Sequence, residues 1–262
     1  MPGYGYAQGS NFIGNMGAAA PSVDQAGLIL NVDISDSGCY PGSGTAITDL
    51  SPSGNDMTIY NGATFDTEKG GCIVTDGVND YIQTTANDIG DTNQAMSAFA
   101  YVKCTDLDTS LSGGFYYTWA LNKRPATNNH RWQIYFYVSS ADWGTYGYAS
   151  LATRIGKGTS ASVGEVLGWD EATVPQIHED QWYYVGFTTD GVNGGTITMY
   201  VNGLAVGTGT LTDDRGLQSN KIRGASDGWS NTFGMPGKTK NYHVYNREVS
   251  ASTVLNNYNA IK

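Results

Sequence analysis

Charge is scarce in this sequence. Of 262 residues only 15% are Asp, Glu, Lys or Arg, against roughly 25% in ordinary soluble proteins. The 14 basic residues are outnumbered by 24 acidic ones, for a formal net charge of -10. A surface of that sign repels nucleic-acid phosphates and anionic lipid, so neither nucleic acid nor a membrane surface is an expected partner. No run approaches the roughly 18 apolar residues of a membrane-spanning helix. The N-terminus, Met1-Pro2-Gly3-Tyr4-Gly5-Tyr6, lacks the basic and apolar regions of a secretory leader. Cysteine is nearly absent as well. Cys39, Cys72 and Cys104 lie far apart, none at CxxC spacing, and their odd number argues against a disulfide framework. Three reduced thiols in or near the core, made in a reducing cytosol, are the expectation.

Reactive groupings are missing too. There are only three histidines, His130, His178 and His243. No Gly-x-Ser-x-Gly elbow offers a nucleophile, and no His-Glu-x-x-His offers zinc ligands. His178-Glu179 opens like the latter, but Trp182 stands where the second histidine belongs. Gly156-Lys157-Gly158-Thr159 is similar to the end of a phosphate loop, with Leu151 where the first glycine should be. The acidic pairs Glu179-Asp180 and Asp213-Asp214 are adjacent, so on a strand their carboxylates would point to opposite faces. The sequence is therefore read as a protein without catalytic residues, bound metal or cofactor.

Glycine (35 residues), tyrosine (18) and hydrophobic residues (40%) are plentiful. Tyr and Thr suit strands, while Gly and Asn suit the tight turns between them. Short strands are predicted at Leu28–Val32, Met57–Tyr60, Gly71–Val74, Tyr81–Thr84, Met96–Lys103, Trp132–Val138, Trp182–Thr188, Thr196–Val201 and Asn241–Tyr245. Asn202-Gly203, between Thr196–Val201 and Leu204-Ala205-Val206, is a strong hairpin signal. One helix follows Ser250 as N-cap, with Val249 stapled to Val254 and an apolar stripe of Val254, Leu255, Tyr258 and Ile261. Residues 1–26 show no period and read as an extended N-terminal arm; residues 27–262 read as one domain. The fold class is all-β, a two-sheet antiparallel jelly-roll sandwich with a short C-terminal helix.

Three segments then carry a resemblance. They are Leu28 to Ser51 with Asp33, Tyr40-Pro41-Gly42-Ser43-Gly44 and Asp49-Leu50-Ser51; Asp76-Gly77-Val78-Asn79-Asp80-Tyr81-Ile82; and Tyr245-Asn246-Arg247-Glu248-Val249-Ser250. Together they resemble the laminin-G/concanavalin A-like jelly rolls of many bacteriophage virion structural proteins. A fourth, Trp182 to Phe187 through Tyr200-Val201-Asn202-Gly203, is similar to the central hairpin of laminin-G domains. The Glu-x-Asp-x-Glu signature of the jelly-roll glucanases is absent, so the resemblance implies no hydrolysis. Loop oxygens of Asp76, Asn79 and Asp80 could bind calcium, as in many such domains, but are read as turn-building residues.

Two function classes follow. In the first, the chain is a non-enzymatic virion structural protein, a capsid-decoration or tail-associated module. It is synthesised in the host cytoplasm and binds neighbouring virion subunits and itself. Tyr4, Tyr6, Phe12, Ile13 and Met16 of the arm, spaced by glycines, would lie against those neighbours. In the second, it is a lectin-like adhesion module. Trp143, Trp169 and Trp229 sit among Gly, Asp, Ser and Asn and read as loop residues. Their rings could stack on sugars beside Asp142, Asp170 and Asp227, or pack at subunit interfaces, or fold onto the protein's own core. Trp119, Trp132 and Trp182 read as core.

Overall fold

The computed structural model describes residues 20–86, 89, 95–107, 115–123, 132–139, 148–156, 162–167, 176–215, 221–226 and 234–262. Its strands are β1 (Leu28–Asp33), β2 (Ala46–Ile47), β3 (Met57–Tyr60), β4 (Thr64–Asp66), β5 (Cys72–Asp76), β6 (Tyr81–Thr84), β7 (Met96–Cys104), β8 (Phe115–Lys123), β9 (Trp132–Ser139), β10 (Ser150–Gly156), β11 (Ser162–Leu167), β12 (Trp182–Thr189), β13 (Thr196–Val201), β14 (Leu204–Thr210), β15 (Arg223–Gly224) and β16 (Pro236–Tyr245). The helix α1 spans Ala251–Ile261. Two antiparallel sheets result. The first runs β14-β13-β12-β7-β16-β5-β4, with β1 also on β16; the second runs β11-β10-β9-β8-β15-β6-β3-β2. The all-β jelly-roll sandwich with one C-terminal helix is thus observed.

Alternation explains the packing. On β7, Ala98, Ala100, Val102 and Cys104 enter the core between the sheets, with Val185 and Phe187 of β12, Val244 of β16 and Ile134 and Phe136 of β9. Trp132 lies in the same core, its ring centroid 6.0 Å from that of Phe187. Cys39, Cys72 and Cys104 are buried free thiols, and burial pushes Cys39 and Cys104 up to about 12. Gly224 has room for no side chain, because a Cβ there would overlap the Tyr242 hydroxyl reaching across from the other sheet. Gly186 is equally constrained: a Cβ would strike the Phe99 ring and the Ala98 carbonyl on the neighbouring strand.

The first sheet is buried on its other face as well. Phe99, Tyr184, Tyr200 and Tyr245 point away from the sandwich core and form a second cluster with Leu28, Val254 and Ile261. Ser250 caps α1 by accepting from Thr253 N at 3.2 Å. The expected helical stripe needs one correction. Leu255 is exposed, and Asn257 is buried in its stead. Asn257 is satisfied by partners at a distance: it donates to the Tyr245 hydroxyl (2.8 Å) and accepts from Asp24 N (2.9 Å). Tyr245 donates on to Asp24 O at 3.0 Å, Arg247 pairs with the Asp24 carboxylate, and Asn256 donates to Ser22 O at 2.9 Å. Residues 22–26 of the arm are therefore fastened to the domain's own helix. The arm residues Tyr4, Tyr6, Phe12, Ile13 and Met16 lie outside the described residues. At the hairpin, Asn202 (φ 51°) and Gly203 (φ 84°) take the left-handed pair that a two-residue turn requires.

Trp182, expected in the core, is half-buried on this outer face. Its indole N–H donates to Glu68 at 2.6 Å, and Glu68 also receives Lys103 (2.8 Å) and Lys238 (2.9 Å). This clamp holds the turn at residues 68–70 against the sheet. Lys103, then Trp182 and Lys238, hold the Glu68 carboxyl down at about 2. Under α1, His243 is wholly buried, its Nδ1 2.9 Å from the Tyr184 hydroxyl, and burial lowers it to about 4.

Three outcomes follow from this packing. Gly186→Ala should cost about 1–3 kcal/mol by overpacking, read by chemical denaturation; an unchanged midpoint would contradict the contact. Starting the chain at Gly27 instead of Ala20 should lower the melting temperature, because Asn257 and Tyr245 lose buried partners. The pH response should divide between two groups. The unfolded chain protonates His243 near 6.5, above its folded value, so stability falls as the pH drops from about 6.5 to about 4. The Glu68 contribution is complete above about 4.5 and is lost as the pH falls through about 2. His243→Gln should flatten melting temperature in the upper window and Glu68→Gln in the lower; slopes unmoved by both would refute the assignment.

Candidate functional site

The second sheet also has a face turned away from the core, and its residues differ in kind. Alternation on β9 sends Gln133, Tyr135 and Tyr137 outward, because Trp132, Ile134 and Phe136 fill the core. The same logic sends Thr58 and Tyr60 of β3 and Tyr81 and Gln83 of β6 outward. Arg223 of β15, Asn122 of β8 and Arg154 of β10 follow. Strand register brings the polar ones into line. Thr58 pairs with Gln83, Gln83 with Arg223, Arg223 with Asn122, Asn122 with Gln133 and Gln133 with Arg154. A polar row therefore crosses six strands at about 5 Å per strand.

Tyrosines flank the row on one side. Tyr60 and Tyr81 are register partners whose rings stack, 4.6 Å apart and inclined by 16°. The Arg223 guanidinium lies over Tyr81 at 4.1 Å and donates from Nε (3.2 Å) and Nη2 (2.7 Å) to Gln83 Oε1. Such stacking and cation–π contact are each worth about 1 kcal/mol, enough to hold the side chains in one arrangement. Arg154 lies over Tyr135 at 6.0 Å. The face changes character along the row. Thr58, Tyr60, Tyr81, Gln83 and Arg223 are half-exposed, whereas Asn122, Gln133 and Tyr135 are buried. Within the buried part, Asn122 Oδ1 and both amide atoms of Gln133 have no hydrogen-bond partner.

The rim beside Tyr60 and Tyr81 is built by two turns. Asp76 Oδ1 accepts from Val78 N (2.8 Å), the turn-building role expected of it, and Asn61 donates to Asn79 O at 2.7 Å. Asp80 is buried; its Oδ2 faces Asp76 N at 3.2 Å while Oδ1 has no partner, and burial raises its pKa. Among the described residues no three acidic, histidine or cysteine side chains gather as a metal site. Glu179 accepts from Leu107 N at 2.6 Å in a turn, well apart from Asp213-Asp214.

Trp143, Trp169, Trp229, Asp142, Asp170 and Asp227 all lie outside the described residues. The row from Thr58 to Arg154 was missed, although the signal was present. Gln133, Tyr135 and Tyr137 alternate with core residues in one strand, which marks a second, polar face.

A jelly roll with this strand order has known relatives. The family profile described as the concanavalin A-like lectin/glucanases superfamily, a laminin-G type, matches residues 76–255. The chain belongs to that superfamily. Among curated proteins, none matches it. The binding domain of botulinum neurotoxin DC, solved with SialylT, is 12% identical over 90% of this chain and 52% of its own, with a TM-score of 0.63. The binding domain of Paraclostridial mosquitocidal protein 1 is 14% identical, covering 88% and 52%, also at 0.63. Domain 4 of AbnA, an extracellular arabinanase of Geobacillus stearothermophilus solved with arabinotriose, is 18% identical over 90% of this chain and 100% of its own, at 0.57. At such identities the likeness is one of fold. The chain spans about half the length of the two toxin binding domains. In these neighbours the fold serves as a binding module.

Proposed function

We propose that the chain is a non-catalytic carbohydrate-recognition module that binds glycans on the outer face of its second sheet. The observation that carries this is the half-exposed Tyr60–Tyr81–Arg223–Gln83 array. It is a pre-positioned set of aromatic and planar polar groups, and the buried Gln133 amide, without a partner, continues the same row. Sugars are recognised by such combinations, since hydroxyls pair with amide and guanidinium groups while ring C–H faces pack on aromatics. Binding at the fold's relatives, arabinotriose at one and SialylT at another, is in keeping with this reading. Trp143, Trp169 and Trp229 are further proposed contributors.

A second reading places this module on a bacteriophage virion, working outside the cell after synthesis in the host cytoplasm. It rests on the three segments that resemble phage jelly rolls. Here residues 1–19 would bind neighbouring subunits through Tyr4, Tyr6, Phe12, Ile13 and Met16. Removing 1–19 keeps the Asp24 anchor, so it should leave a folded domain that no longer joins its assembly. Normal occupancy of the truncated protein in purified particles would contradict that.

A glycan array followed by titration calorimetry tests the first reading. Binding at millimolar affinity or better is expected, weakened about tenfold or more by Tyr60→Ala or Gln83→Ala. If binding is instead lost only in Trp143→Ala, Trp169→Ala or Trp229→Ala, the site lies at those tryptophans and not on this face. If no glycan binds, the reading fails.

A further inference from the structure

We infer that β14, at one end of the first sheet, is a contact surface for a second copy of this chain, the two β14 strands pairing antiparallel about a two-fold axis. The inference concerns the other sheet and does not depend on the carbohydrate reading. The first observation is an unguarded edge. Four strands end the two sheet orders: β14 and β4 in the first, β11 and β2 in the second. Edge strands are normally kept short or charged, because their unpaired N–H and C=O groups invite another strand. β2 has two residues; β4 has three and ends in Asp66, which pairs with Lys238; β11 carries Glu165. β14 has seven, Leu204-Ala205-Val206-Gly207-Thr208-Gly209-Thr210, with no charge and no proline. A bulge opposite Met199–Tyr200 interrupts it, and Gly207–Thr210 then run in regular register with β13. Every residue of the strand is exposed or half-exposed, and among the described residues its only backbone hydrogen bonds go to β13. β11 approaches β13 as well as β14, so it lies across the core from them and not along the edge.

The second observation is where exposed apolar side chains gather. Three of the four large hydrophobic side chains exposed among the described residues stand at the ends of β14. Leu204 (63% exposed) opens the strand, and Leu255 (40%) packs beside the turn before it, where a Cβ on Gly203 would meet it. Val192 (43%) stands at the other end, in the turn whose Gly194 donates to Leu211 O at 2.8 Å. Antiparallel pairing sets the Leu204–Leu255 end of one copy beside the Val192 end of the other, and the two-fold repeats that contact. A surface complementary to itself in this way fits a second copy.

Charge selects the same arrangement. The chain carries a net charge of -10, so two copies meet most easily along a strand that bears none of it. Asp213 and Asp214 follow the strand at its Val192 end, where Asp214 accepts from Asn193 N at 2.8 Å. A parallel pair would bring these carboxylates together. The antiparallel pair holds them roughly 20 Å or more apart, beyond the screening length of about 8 Å. The two-fold of an antiparallel pair stands perpendicular to the sheet, so both second sheets lie on one side and their outer faces turn the same way.

Sedimentation velocity of the full chain over the micromolar range tests this, together with amide hydrogen exchange. A monomer–dimer equilibrium is expected, with exchange at Ala205–Thr210 slowing as the concentration rises. Thr208 is exposed, so Thr208→Lys and Thr208→Glu should keep the fold, as circular dichroism will check. Each places like charges across the pair and should raise the dimer dissociation constant about fivefold or more. The two variants change the net charge in opposite directions, so a loss common to both is local to the strand, and an equimolar mixture of them should recover association. Val78→Lys, exposed in the turn before β6 and far from β14 in the sheet order, should leave the constant unchanged. A chain that stays monomeric overturns the inference. So does a dimer that both Thr208 variants leave intact, or one whose β14 amides exchange as in the monomer. A dimer lost on removing residues 1–19 and kept in the Thr208 variants assigns the contact to the arm and overturns the inference as well.

Discussion

Burial of both faces of the sheet around β7, β12 and β16 is the constraint on which the rest of the molecule depends. Phe99, Tyr184, Tyr200 and Tyr245 are too large and apolar to face water. They oblige the chain to end in a helix that covers them, and that helix in turn holds residues 22–26 through Asn257 and Tyr245. Some of the polar groups there have partners: His243 Nδ1 meets Tyr184, and Asn257 meets the backbone of Asp24, while His243 Nε2 and the Asn241 amide are buried without one. This sheet is therefore occupied by its own protein on both sides.

The second sheet stands in the opposite situation. Its core face is as apolar as that of its partner, with Trp132, Ile134 and Phe136. Its outer face is lined by amides, guanidinium groups and tyrosines, part of it half-exposed. Tyr242 connects the two sheets physically, since its hydroxyl fills the space that a side chain at position 224 would take. The residue that holds Arg223's neighbour to glycine thus belongs to the far sheet. Position and orientation of the candidate site follow from core packing, which suits recognition by rigid groups.

Much of the fold was legible in the sequence because its signals are local. The Asn202-Gly203 turn, the Ser250 cap and the alternation in β13 each depend on a few adjacent residues. The helical stripe was misread at Leu255, because burial of Asn257 depends on Asp24 and Tyr245, far away in sequence. Trp182 was misread for a similar reason: its partner Glu68 lies 114 positions away. The site was legible only in part. Each polar residue of the row is visible as one alternating position in its own strand, but only register aligns Gln83, Arg223, Asn122 and Gln133. Trp143, Trp169 and Trp229, picked out from the composition around them, lie outside the described residues.

The central claim is that ligands meet this chain on the outer face of the second sheet, at Tyr60, Tyr81, Gln83 and Arg223. Backbone and side-chain NMR shifts recorded while an array-selected oligosaccharide is added test it most directly. Perturbations concentrated on those four residues, with Asn122 and Gln133 next in the row and the α1 face silent, are the predicted result. Perturbations confined to the α1 face, or to Trp143, Trp169 and Trp229, would contradict it.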